Sequence, residues 1–156
     1  GSGGHGPGGT PSGGGRGGGL VWIETAEATI DGNITANGVK GITKSGSGSG
    51  GGVYIACNSF YGNGTISADG ADGNVSASSG AGGGGGRIAI WTDVPDYTRL
   101  RYWNGITSPV TATPTHKNFY GTLSVAPGSG SGSAAESGTA FFYTLRIPNT
   151  TVLIIR

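Results

Sequence analysis

The chain has 156 residues, about one domain, and carries nine basic against eight acidic residues with only 11% of positions charged. That balance excludes a nucleic-acid binder that works by counterion release, because the single Gly15-Arg16-Gly17-Gly18 element does not make a basic stripe. The 36 glycines, more than three times the usual ~7% share, follow no three-residue period and so exclude collagen, while the longest aliphatic run, residues 152–155, is far short of the ~20 residues that insertion across a bilayer needs.

Taken in order, the chain opens with a glycine-rich arc over residues 1–19, followed by Leu20-Val21-Trp22-Ile23 and then Gly32-Asn33-Ile34-Thr35-Ala36-Asn37-Gly38. The same order returns as Gly52-Val53-Tyr54-Ile55 and Gly64-Thr65-Ile66-Ser67-Ala68-Asp69-Gly70, without a gap and at an offset of 32 residues. A fixed period of this size marks a unit that cannot bury its apolar face alone and stacks on a copy of itself. In each unit a second strand opens 11 residues after the first, at Ile34 and Ile66. The two-residue strand period turns Val21, Ile23, Val53 and Ile55 one way and Trp22 and Tyr54 the other.

A third unit begins at Arg87-Ile88-Ala89-Ile90, but Leu123, its second strand, follows Ile90 by 33 residues rather than 11, which leaves an insertion of 22 residues within 91–122. A fourth follows the glycine-serine stretch after Pro127, with Phe141 and Tyr143 expected in the Val21 and Ile23 positions and Val152 and Ile154 closing it. The pattern predicts an all-β, parallel β-helix-like solenoid of about four coils in one module. The coils lie near 20–52, 53–86, 87–139 and 140–156, with stacked polyproline II-like glycine arcs between them. Core columns are expected through Val21, Val53, Ile88 and Phe141, through Ile23, Ile55, Ile90 and Tyr143, and through Ile34, Ile66, Leu123 and Val152.

The sequence of glycines, an apolar alternation, Gly-X-Ile-X-Ala-X-Gly and a further glycine run before Arg87-Ile88-Ala89-Ile90 resembles the glycine-rich parallel β-helix repeats of bacterial surface and adhesin-like proteins. Residues 1–19 and 82–86 also resemble the polyglycine II sandwiches of phage tail-fibre tip adhesins. Both resemblances imply an extracellular protein of a cell or virion surface, structural and adhesive rather than enzymatic, with no cofactor. Neither carries a set of functional residues.

The insertion is the first candidate site, since loops on a rigid scaffold concentrate binding residues. Trp91, Tyr97, Arg99, Arg101, Tyr102, Trp103, His116, Lys117, Phe119 and Tyr120 combine aromatic faces and cations, which suit sugar rings and carboxylates in a glycan or surface receptor. The alternative is that the alternating stretch 97–103 is an extra hairpin covering a sheet edge. A second candidate is the outward series Trp22, Tyr54 and Phe142, interrupted by Ala89, as an assembly surface. The final run 151–156 has no capping helix or polar coil, so self-association, end-to-end stacking into a filament, or continuation in a longer parent chain is expected. The opening on Gly1, with no leader pattern, reads as a processed form or an excised piece.

Catalysis would start from Asp93 and Asp96 beside Arg99 and Arg101, because β-helix polysaccharide lyases hold calcium with acids and abstract a proton with a base. These acids do not recur at the repeat and flank Pro95, which favours turns. Asp69-Gly70-Ala71-Asp72-Gly73 is similarly a single copy, better suited to a turn than to calcium. His5 and His116 lack zinc spacing. Asn33, Asn63, Asn74 and Asn149 open Asn-X-Ser/Thr glycosylation sequences. Cys57, the one cysteine, is expected to face inward as a small apolar group.

Overall fold

The computed structural model describes residues 13–42, 45–73, 80–94, 110–131 and 134–145. Eight strands form there: β1 (Leu20–Thr29), β2 (Asn33–Thr35), β3 (Gly52–Tyr61), β4 (Thr65–Ser67), β5 (Arg87–Thr92), β6 (Val110–Thr113), β7 (Thr122–Ser124) and β8 (Thr139–Leu145). They make two sheets, one of five strands in the order β1-β3-β5-β8-β6 and one of three in the order β2-β4-β7. No helix occurs among the described residues.

The repeat offset is visible in the pairing. β1 lies parallel to β3 with Val21 opposite Val53 and Ile23 opposite Ile55. β3 in turn pairs with β5 through Val53↔Ile88 and Ile55↔Ile90. In the small sheet Ile34, Ile66 and Leu123 stand side by side. These inward residues meet in one core between the sheets, where Ile55, Ile66 and Ile90 are completely buried and Ile34 and Leu123 pack against them. Each fully buried aliphatic side chain contributes about 1.5–3 kcal/mol.

The expected solenoid of about four coils requires correction, because the described chain is a mixed five-stranded sheet with a separate parallel three-stranded sheet. Two features of the fourth repeat account for the difference. Its register is displaced by one residue, so Ile88 faces Ala140 and Ile90 faces Phe142. A one-residue slip exchanges the two faces of a strand, and Phe142 is therefore buried while Phe141 remains 36% exposed. In addition, β6, from the inserted segment, lies antiparallel on β8 as a strand outside the repeat. Val152 and Ile154 lie outside the described residues, as does the start of the first glycine arc.

The glycine-rich connections are joined backbone to backbone. Gly15 donates to Gly46 at 2.9 Å, Gly18 to Ser49 at 2.8 Å, and Gly50 to Gly84 at 2.9 Å. Gly48 donates to Val39 and accepts from Ala71, both at 3.0 Å, so one residue is bonded on two sides. A Cβ on Gly48 would collide with the backbone of Arg16, so the close approach itself requires glycine. Gly62, at φ 121°, occupies backbone space closed to other residues, beside Ile30. The serines between the glycines also have a structural role: Ser45 and Ser47 are buried, and Ser47 Oγ donates to the Asp72 carbonyl at 2.7 Å.

Candidate functional site

The most concentrated surface chemistry lies on the outer face of the five-stranded sheet. Strand alternation that sends Ile55, Ile88 and Ile90 inward sends Tyr54, Arg87, Ala89 and Trp91 outward. Register then sets Trp22, Tyr54, Ala89 and Phe141 in one row across four strands. The next outward row holds Glu24, Ala56, Trp91 and Tyr143. Trp22 stacks on Tyr54 with centroids 4.2 Å apart and planes 28° apart, and Trp91 stacks on Tyr143 at 4.8 Å and 20°. Phe141 leans towards Tyr143 at 6.4 Å.

Beside Tyr54 the side chains shrink to Gly52 and Ala89, which leaves a hollow of about 270 Å³. Tyr54 and Trp91 stand at its sides, and Leu20 and Arg87 stand at its rim. The volume is just under the roughly 300–1,000 Å³ common for small-molecule pockets. With strands about 4.8 Å apart and about 3.3 Å per residue, the two stacked pairs are centred about 12 Å apart along a diagonal of the sheet. That span suits an extended ligand rather than a single ring.

Of the insertion candidates, the described ones do not form one exposed group. Tyr97, Arg99, Arg101, Tyr102 and Trp103, and with them the alternative hairpin over 97–103, lie outside the described residues. Trp91 belongs to the β5 face. Phe119, expected at the site, is only 7% exposed and packs on Phe60 at 5.3 Å and Phe142 at 5.9 Å, so it is a core residue. His116 joins the same cluster, 5.4 Å from Phe142, and its burial lowers its pKa, against an opposing pull from Asp93. Lys117 is exposed, and Tyr120 is 83% exposed. The expected assembly surface is also corrected: Trp22 and Tyr54 face outward as a pair, but Phe142 is 1% exposed because of the register slip, and Phe141 takes its place.

Asp69 and Asp72 serve the backbone, and Asp96 lies outside the described residues. Asp69 Oδ1 accepts from Ser124 Oγ at 2.6 Å and from the Ala126 N–H at 2.7 Å. Asp72 Oδ1 accepts from the Ser129 N–H at 2.7 Å and Oγ at 2.8 Å, and these bonds hold its pKa below the ordinary 3.8. One repeat earlier, Asn37 Oδ1 accepts from the Asp69 N–H at 2.8 Å. Together they form a clamp between successive repeats. Asp93 is the turn leaving β5, at φ 57°, and its N–H donates to Asn58 at 3.1 Å. Among the described residues no group of three or more His, Cys, Asp or Glu side chains is placed to hold a metal ion. No helix there is long and apolar enough to cross a membrane.

No protein-family model, no curated protein and no solved structure matches this chain.

Proposed function

We propose that the protein is an adhesive module of an extracellular surface or fibre protein, and that it binds carbohydrate across the outer face of the five-stranded sheet. The observation that carries this reading is the two stacked aromatic couples, Trp22–Tyr54 and Trp91–Tyr143, each of which sets one ring, Tyr54 or Trp91, against a hollow floored by Gly52 and Ala89. Flat aromatic faces give the apolar C–H faces of sugar rings a broad, rigid contact, and side chains with two χ angles lose little entropy in making it. Parallel pairing in a buried-core sheet fixes the spacing of the walls before any ligand arrives, which lowers the cost of binding.

The test is binding to a glycan array, followed by titration of the best members. Trp91→Ala and Tyr54→Ala are expected to weaken binding at least tenfold, whereas Tyr120→Ala leaves it unchanged. The reverse pattern, or loss only in Trp103→Ala, would move the site away from the sheet. The free edge of β1 favours a second reading, self-association. β1 is an edge strand among the described residues, and Leu20 on it is 68% exposed. Sedimentation would then show concentration-dependent oligomers that Glu24→Pro, at a position whose N–H points to the free side of β1, disperses.

A further inference from the structure

Resting on the carbohydrate reading above, we infer that the groove selects acidic sugars, with Arg87 engaging the carboxylate of the ring that lies over Gly52 and Ala89. Arg87 opens β5 at the rim of the hollow and is, among the described residues, the one charged side chain that lines it. Its register partners are Gly52 on β3 and Thr139 on β8, so no acid shares its row. Gly52 brings no side chain, and only Leu20 Cδ1 approaches the space a Cβ would take there, at 3.4 Å. The guanidinium therefore has open room over the floor, beside the walls that grip the rings.

Among the described residues, Glu24 stands on β1, two strands across from Arg87, and Glu136 stands beside Gly85, whose N–H donates to its carbonyl at 2.9 Å. Neither shares the Arg87 row. A guanidinium presents its donors as a planar fork that matches a carboxylate with two parallel hydrogen bonds. A neutral sugar at the same place makes the aromatic contacts alone.

The experiment uses an array of matched pairs, each a uronic acid oligosaccharide with its carboxyl-reduced neutral counterpart. The unaltered protein is expected to prefer the acidic member roughly five- to tenfold, and high salt should erode that preference. Arg87→Gln removes the preference, while Arg87→Lys restores part of it as a point charge without the fork. Equal binding to both members of every pair by the unaltered protein, or a preference that survives Arg87→Gln, overturns the inference and leaves the carbohydrate reading intact. Absence of binding to any member, acidic or neutral, overturns the carbohydrate reading itself and the inference with it. Arg87 is exposed, and a far-UV spectrum unchanged in Arg87→Gln separates loss of selectivity from loss of fold.

Discussion

Removal of the Asp69 carboxylate tests how the repeats are held together. One oxygen accepts two hydrogen bonds, from Ser124 Oγ at 2.6 Å and the Ala126 N–H at 2.7 Å, and so ties the second repeat to the third. Hydrogen bonds to a charged group are worth about 1.5–3 kcal/mol each when well buried. Asp69 is half-buried and water can reach the freed Ala126 N–H, so Asp69→Ala is expected to cost about 2 kcal/mol in total. The first repeat supplies the control. Asn37 performs the corresponding task with a neutral amide oxygen, accepting from the Asp69 N–H at 2.8 Å, so Asp69→Asn retains the geometry without the charge and is expected to cost under about 1 kcal/mol. Urea unfolding followed by tryptophan fluorescence reads both values from the midpoint at constant slope. A neutral Asp69→Ala, or Asp69→Asn as damaging as Asp69→Ala, would refute the clamp.

The register slip predicts that Phe142→Ala, which empties a site 1% exposed, costs about 3–5 kcal/mol, while Phe141→Ala on the outer face costs about 1 kcal/mol or less; equal losses in thermal unfolding would contradict the pairing. Burial, with a further contribution from Asp93, pushes the Cys57 thiol up to about 12, so the native protein should not react with a thiol reagent at pH 8 and the unfolded protein should react at once. Asp72, whose pKa is lowered on folding by the Ser129 bonds, contributes stability above the ordinary carboxylate value of 3.8 that disappears as pH falls through its depressed folded value. Asp72→Asn should therefore flatten the acid limb of a stability-against-pH curve, and an unchanged limb would exclude the contribution.

The first three repeats could be read from the chain because their patterns superpose at a fixed offset and each apolar position meets an apolar position, from Val21 to Val53 to Ile88. The fourth could not. Ala140-Phe141-Phe142-Tyr143 is apolar at every position, so no polar residue declares the outer face, and only the pairing with Ala89 and Ile90 sets the phase. β6 lies outside the repeat, in an insertion that stands out for its aromatic residues, although Val110-Thr111-Ala112-Thr113 is rich in β-branched residues, itself a strand signal. The burial of Ser45 and Ser47 has no signal in the chain, since burial of a small polar side chain depends on which backbone passes over it. Trp91 was singled out as part of the inserted loop, yet its role comes from β5, where parity places it outward beside Tyr143.

The outer row Trp22, Tyr54, Ala89 and Phe141 contains its own experiment, because the groove exists only where the aromatic ladder is broken. Ala89→Tyr would complete the ladder. The new ring would stand between Tyr54 and Phe141 on neighbouring strands, an arrangement worth roughly 0.2–1 kcal/mol in a sheet, so stability should hold or rise slightly. The same ring fills the hollow of about 270 Å³ and covers the floor beside Arg87. If a ligand is held between two aromatic walls, its affinity falls at least tenfold in a protein that is no less stable, a combination that general damage to the fold cannot produce. Unchanged or improved binding would show that the aromatic residues act as a flat platform, and the hollow would lose its place in recognition.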